Sequence, residues 1–330
     1  MNTAGQKFTV SHDSPLLKYL YEIFPGQSKT GVKNMLSKGQ VLVNGERRTA
    51  FDHPLRTGDS LLILAKAVSM ARESSENARE DVEKTGVKIV FEDDHYLVVD
   101  KPAGLLTVST AKGSQSKTGK KEATLYAILN AYVKATARAR RKEDLASGRT
   151  PDRSTAKIWI VHRLDQGTSG LVVFAKNEHA KDVLQSRWKE LVIERHYIAF
   201  LENKLDKESG AIQSWLVESP KSLIVYSYPE EVRNGQLAIT HYKVLDFVHR
   251  GRNVYTKAEF SLESGRKNQI RVHAASIGHP IAGDKKYGAE TDPIRRLALH
   301  AATLVFRNPM SNEIVRLKSP LPDAFDKFVK

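Results

Sequence analysis

Residues 158–176 read I-W-I-V-H-R-L-D-Q-G-T-S-G-L-V-V-F-A-K. Two short apolar runs, residues 158–161 and 171–175, are rich in β-branched and aromatic side chains, which predicts two strands. A hairpin needs only a tight turn between them, such as Asn-Gly. This connection is longer, and it carries His162, Arg163, Thr168, Ser169, two glycines and a single acid, Asp165. A lone carboxylate in a strand-flanked loop is a candidate nucleophile for a covalent intermediate. In an enclosed site such a group needs a cation partner, for example an arginine, to stay ionised. The competing reading is a turn aspartate bonded locally to Thr168 or Ser169.

Working outward, residues 87–91 and 96–100 read as strands, the second running into Lys101-Pro102-Ala103-Gly104-Leu105. Alone, that pentapeptide is an ordinary turn. Residues 112–121 are Lys/Ser/Gly-rich and read as mobile, and residues 125–133 as a helix. A basic run with Arg138, Arg140, Arg141 and Lys142 follows. It is read as part of an excursion with a basic, partly ordered surface. Ala180, Val183, Leu184, Trp188, Leu191 and Val192 recur at helical spacing and predict a helix over residues 178–193. A strand follows from residue 194. Strands and turns alternate over residues 210–260. Leu262 opens a second dense motif, L-E-S-G-R-K-N-Q-I-R-V-H, ending at His273. Residues 295–302 are read as a helix and 303–317 as a closing hairpin. Many strands with few helices between them predict an α+β domain with a largely antiparallel sheet.

Upstream, residues 14–65 form a separate small module. Ser14-Pro15 reads as a helix start, with Ser as N-cap and Pro in the first turn. A second helix beginning near Ser28 would bury Val32 and Met35 and leave Lys29, Lys33 and Lys38 facing solvent. Asn44-Gly45 reads as a tight hairpin turn. The order of S-K-T-G-V-K-N-M-L, K-G-Q-V-L-V-N-G and G-D-S-L-L-I-L resembles the S4 RNA-binding domain. That resemblance implies an RNA-facing surface made by Lys29, Thr30, Lys33 and Lys38. Residues 66–85 have few large apolar side chains and are read as a linker, either a solvated helix or a flexible segment.

Composition narrows the function. The 330 residues carry a net charge of +14, which suggests a polyanionic partner, nucleic acid first. Residues 101–157 hold 13 Lys and Arg against 4 Asp and Glu, an excess of 9. There is no cysteine, which excludes disulfides, thiolate metal sites and a cysteine nucleophile. Residues 1–10 lack the apolar core of a signal peptide, and no run reaches the length of a membrane span. The cytoplasm is therefore the expected compartment. No H-E-x-x-H, P-loop or G-x-G-x-x-G occurs, so no metal or nucleotide cofactor is expected. His162, His273, His279 and His300 are read as structural or RNA-facing.

The segment from His162 to Lys176 resembles the signature loop of the RluA family of pseudouridine synthases. F-E-D-D-H-Y-L-V-V-D-K-P-A-G-L-L-T-V, E-R-H-Y-I-A-F and L-E-S-G-R-K-N-Q-I-R-V-H-A-A-S-I-G-H-P-I-A-G-D-K-K-Y-G resemble that family's other motifs, in its order. His162, rather than Gly, at the head of the loop favours RluA over the related RsuA family. The resemblance implies a small S4-type domain (14–65), a linker (66–85) and a catalytic domain (86–330) with a large mixed, mainly antiparallel β-sheet flanked by helices. It implies isomerisation of uridine to pseudouridine in RNA without cofactor or metal. Asp165 would be the catalytic aspartate, and the resemblance leaves open whether it attacks ribose or base or promotes elimination. Tyr197 would stand against the target base, Arg271 would pair with Asp165, and Ile270 would line the apolar wall. Arg163 would occupy the space vacated by a flipped base. Large-subunit ribosomal RNA is the expected substrate, with tRNA the alternative, and a monomer the default state. The rival reading is a non-catalytic RNA-binding or ribosome-assembly factor on the same fold, against which the retained Asp165, Tyr197 and Arg271 argue. Asn268 departs from the family, where many members have His, and bears on subfamily rather than on activity.

Overall fold

The computed structural model describes residues 5–64, 66–109, 123–146, 150–152 and 156–329. The Lys/Ser/Gly-rich residues 112–121 lie outside them. The chain divides into two compact units, residues 1–82 with 130–157, and residues 83–129 with 158–330.

In the first unit the elements are β1 (Gly5–Thr9), β2 (Ser14–Pro15), α1 (Leu16–Ile23), α2 (Lys29–Ser37), β3 (Val41–Val43), β4 (Glu46–Arg47), β5 (Pro54–Leu55) and β6 (Ser60–Leu64). Four of the strands form an antiparallel sheet in the order β1-β6-β3-β4. Leu16, Leu20, Val32, Leu36, Val41, Leu61 and Ile63 make one core between helices and sheet. Asn44 and Gly45 have φ of 51° and 86°, the left-handed pair that a two-residue hairpin demands. Ser28 caps α2 by accepting from Gly31 N at 3.1 Å. Ser14, in contrast, caps nothing. Helix α1 starts at Leu16, and Ser14–Pro15 pair with Pro54–Leu55 in a two-residue ladder instead. The expected linker is one helix, α3 (Lys66–Glu83), whose Ala, Glu and Arg content favours that state.

Next come β7 (Lys88–Glu92), β8 (Tyr96–Lys101) and α4 (Leu125–Ala146). Helix α4 runs 13 residues past the predicted end at residue 133, so the basic run lies on a helix. Ala, Arg, Lys and Glu propagate it, with no Gly or Pro until Gly148.

The second unit continues through β9 (Trp159–Ile160), β10 (Ser169–Ala175), α5 (Glu178–Ser186), α6 (Trp188–Leu191), β11 (Val192–Glu202), β12 (Ser209–Glu218), β13 (Val225–Tyr228), β14 (Gln236–Arg250) and β15 (Asn253–Leu262). It ends with α7 (Gln269–Ser276), a 3-10 turn (Lys285–Tyr287), β16 (Leu299–Arg307), β17 (Ile314–Lys318) and α8 (Asp323–Val329). Its sheet has 11 strands, in the order β13-β12-β14-β15-β11-β16-β10-β8-β7, with β17 on β16 and β9 on β10. Among the described residues every pairing in that sheet is antiparallel except β10 with β16, which share only Ser169–His300 and Gly170–Ala301. The catalytic-loop candidates therefore enter the sheet at its one parallel junction.

Two helix expectations give way. Residues 299–302, expected as the end of a helix, are instead the start of strand β16, although Leu and Ala are good helix formers. The run is buried between β11 and β10, and pairing on both sides overrides local propensity. The hairpin expected over residues 303–317 is present as β16 and β17. The predicted helix over 178–193 breaks at Arg187, and β-branched Val192 already pairs with Phe306.

Candidate active site

The loop between Val161 and Ser169 is pinned from below by the chain around Lys101. Lys101 is fully buried, and its ammonium donates to the carbonyls of Pro102 (3.0 Å), Leu105 (2.9 Å) and Gln166 (3.2 Å). Burial pushes its pKa down to about 7, with the Arg296 charge adding to the fall and Asp165 and Asp100 opposing it. Gly104 N donates to the same Gln166 carbonyl at 2.8 Å, and Thr107 Oγ1 donates to Leu164 O at 2.7 Å. The K-P-A-G turn, which looked ordinary in the sequence, is the clamp that fixes the Asp165 loop.

Two further ties act from above. Val173 N donates to His162 Nε2 at 3.1 Å, so the imidazole keeps its proton on Nδ1. Burial, with help from Arg195, pushes the His162 pKa down to about 3. Ser169 is hydrogen-bonded to His300 Nδ1 (2.9 Å) and accepts from Arg296 Nη2 (2.8 Å). Gly170 has φ of 112°, and a Cβ there would overlap the Ala301 backbone, so glycine is required where β10 meets β16.

Asp165 makes no turn hydrogen bond through its side chain among the described residues; Thr168 N donates to its main-chain carbonyl instead. Its carboxylate Oδ2 lies 3.5 Å from Arg271 Nη1, with side-chain exposures of 21% for Asp165 and 13% for Arg271. Helix α7 carries Arg271, and the guanidinium has a tighter partner. Nε and Nη2 donate to Asp284 at 2.6 and 2.7 Å, a bidentate fork. Nη1 also donates to Asn268 Oδ1 at 3.1 Å, and the guanidinium sits 4.9 Å from the Tyr287 ring centre. Burial alone would lower the Arg271 pKa, but its hydrogen bonds and charge interaction with Asp284, then Asp165, raise it on balance. Asn268 is left-handed (φ 55°) and donates to Tyr287 Oη at 2.9 Å, so an asparagine suits both its backbone and its bonds.

A cavity of about 320 Å³ opens over this pair, within the range of small-ligand pockets. Asp165, Arg163, Tyr197, Ile270 and Arg271 all line it, so the five candidates, drawn from separate stretches of the sequence, meet at one place. Tyr197, on β11, and Ile270 are buried, whereas Arg163 is exposed at the rim. Burial raises the Tyr197 pKa; Arg195 acts against that rise and Asp165 with it. The site is thus a carboxylate and a guanidinium facing a neutral phenol under an apolar wall. Among the described residues no group of His, Asp or Glu is arranged to hold a metal.

Lys29, Thr30 and Lys33 stand on the exposed side of α2, opposite buried Val32 and Leu36, and Lys38 is exposed at its C-terminal end. Met35, expected inside, is half-buried. No helix among the described residues is long and apolar enough to cross a membrane. Sequence reading missed Lys101, Asp284, Trp188 and Arg195. The first had a signal, a lysine two residues past the apolar run Y-L-V-V. Asp284 had none beyond lying in the G-D-K-K-Y-G segment.

A sheet that brings a carboxylate–arginine pair into a base-sized cavity, on a chain that also carries an S4 fold, defines an enzyme acting on RNA. Residues 95–276 match the RNA pseudouridylate synthase family and residues 14–61 the S4 domain. The chain belongs to the RNA pseudouridylate synthase family, and it is a pseudouridine synthase. Among curated relatives it is 31% identical to "Uncharacterized RNA pseudouridine synthase YhcT" of Bacillus subtilis, over 89% of this chain and 86% of that one. It is 32% identical to "Ribosomal large subunit pseudouridine synthase D" of Nitrosomonas europaea, over 92% and 80%. The fold is shared with the solved human RNA pseudouridylate synthase domain containing 4, at 20% identity and a TM-score of 0.53, over 77% of this chain and 95% of that one.

Proposed function

We propose that this chain converts uridine to pseudouridine in large-subunit ribosomal RNA, with Asp165 as the nucleophile. The observation that carries the role of Asp165 is its contact with Arg271 inside the cavity that Tyr197 and Ile270 also line. Support for the substrate comes from relatives named ribosomal large subunit pseudouridine synthase D at about 30% identity over most of the chain.

In this reaction the bond from ribose C1′ to base N1 breaks and one from C1′ to C5 forms; C5 loses a proton and N1 gains one. Arg271, 3.5 Å from Asp165, orients its carboxylate toward the ribose or base. Tyr197 stacks against the extruded base, and as a neutral phenol it serves the proton movement. Ile270 keeps water from the reacting face. A base inside a helix is out of reach, so the uridine must be flipped at a cost of a few kcal/mol. Arg163, exposed at the rim, fills the gap it leaves. Lys29, Thr30, Lys33 and Lys38 of the S4 module, residues 14–65, contribute phosphate contacts that offset the cost. The body from residue 86 onward performs the chemistry.

Mapping pseudouridine across total RNA from cells with and without this protein tests the proposal. Loss of one or more sites in large-subunit RNA is expected. An unchanged map contradicts the activity, and loss confined to tRNA contradicts the substrate.

A further inference from the structure

A second cavity, of about 450 Å³, lies beside the catalytic one, and the two share Trp188, Arg195 and Leu262 in their walls. The Arg195 guanidinium lies over the Trp188 indole, 5.4 Å from its centre, and the His162 ring is 5.0 Å from the same indole. Arg195 Nη2 donates to two backbone carbonyls, Leu262 O at 3.4 Å and Ser264 O at 3.3 Å, both long, and the guanidinium also reaches the Tyr197 hydroxyl. No carboxylate among the described residues is paired with it. A half-buried cation without an acid partner, held on an aromatic ring between two cavities, suits a polyanion with flat bases. Bases stack on guanidinium planes as readily as on aromatic rings. The lining of the second cavity also holds Lys189, Glu194, His196, His241, Ser261 and Glu263. His241 Nε2 is bonded to Glu263 at 2.6 Å and His196 Nδ1 lies 3.5 Å from Glu259, so the Ser261 hydroxyl and the second nitrogen of each ring are what the lining offers a base edge.

We propose that this second cavity is a subsite for the ribonucleotide adjoining the target uridine. Its base stacks on the Arg195 guanidinium, which the Trp188 ring backs, and Arg195 also meets the phosphate between the two nucleotides. The subsite rests on the proposed extrusion of the uridine into the catalytic cavity. It gives the enzyme a grip on a neighbour that is itself unpaired, and so a reason to prefer uridines in open RNA.

The test uses the full-length protein and a synthetic RNA containing a uridine that the mapping assigns to it, intact or with an abasic residue on either flank. Binding is measured for wild type, Arg195→Lys, Trp188→Leu and Trp188→Phe. In wild type an abasic residue on one flank should weaken binding on the order of tenfold. In Arg195→Lys and Trp188→Leu the same abasic residue should cost less than about twofold further, because the shelf it stacked on is gone. Trp188→Phe, which keeps a ring, should restore the wild-type response. Arg195→Gln should lower the slope of log affinity against log salt by about 0.7, the share of one single-strand phosphate contact. An equal abasic penalty in wild type and in Arg195→Lys, or none on either flank in wild type, overturns the subsite. Should Trp188→Leu fail to fold, Arg195→Lys and the salt slope still decide. Absence of pseudouridine when wild type meets the intact RNA is a different failure: it overturns the proposed function and the subsite with it.

Discussion

Arg271 gives Asp284 two charge-assisted hydrogen bonds, at 2.6 and 2.7 Å, and gives Asp165 a single contact at 3.5 Å. The arginine is thus fixed by a carboxylate outside the reaction, and one corner of its fork is left for Asp165. Asp284 is almost wholly buried, with 1% side-chain exposure, so the pair is a desolvated one. Breaking such a pair from one side strands the other charge.

Asp284→Ala should therefore destabilise the protein by about 3–5 kcal/mol. It should also lower pseudouridine formation, because the guanidinium loses the partner that orients it. Urea unfolding and single-turnover assays measure the two effects. A stability loss under about 1 kcal/mol would show that Arg271 finds its position without Asp284.

Gly170→Ala tests the parallel junction. Its φ of 112° is costly for any residue with a Cβ, and the added carbon would overlap the Ala301 backbone. A loss of more than about 2 kcal/mol is expected, above the usual cost of a left-handed residue, because backbone must move. Wild-type stability and activity in this variant would mean that β10 and β16 can separate freely there.

Acid should weaken the fold through His273. It is fully buried, hydrogen-bonded at both ring nitrogens to Ser214 and Thr240, and burial pushes its pKa down to about 4 from 6.5. Between those values the unfolded chain takes up a proton that the native state refuses. Stability therefore falls as pH drops through that window. By pH 5 the loss is about 2 kcal/mol for this one group. Comparing urea unfolding at pH 7.5 and pH 5.0, His273→Gln should show a smaller drop than wild type by about that amount. An identical drop would place the acid sensitivity elsewhere.

The same buried histidine shows how far the sequence could be read. His273 sits in a motif quoted for its arginine, and nothing in the string told that its ring faced Ser214 and Thr240, 59 and 33 residues away. The S4 hairpin, the strands around Asp165 and the antiparallel character of the sheet were legible, because turn chemistry and alternation are local. The strand character of residues 299–302 was not, since two neighbouring strands decide it. At the site, Asp165, Tyr197, Ile270 and Arg271 came from resemblance and meet in space. Asp284 and Arg195 act through contacts 13 and 69 residues distant, for which a single sequence holds no signal; Lys101 stood out as a lysine after an apolar run, but its contact 65 residues away did not.

For the S4 module, Lys29→Gln with Lys33→Gln removes two exposed cations from one face of α2. RNA affinity should fall, and the slope of its logarithm against log salt should shrink by about 1.4, or 0.7 for each single-strand phosphate no longer neutralised. Unchanged slope would show that this face does not meet phosphate.

The central claim is that Asp165 performs the chemistry. The direct measurement is pseudouridine formed under single-turnover conditions by Asp165→Asn, alongside its affinity for the same large-subunit RNA. Asparagine keeps the size and hydrogen-bonding capacity of the side chain but removes its charge. RNA binding within a few-fold of wild type and no detectable pseudouridine is the result expected. Pseudouridine formation within tenfold of wild type would contradict the role assigned to Asp165.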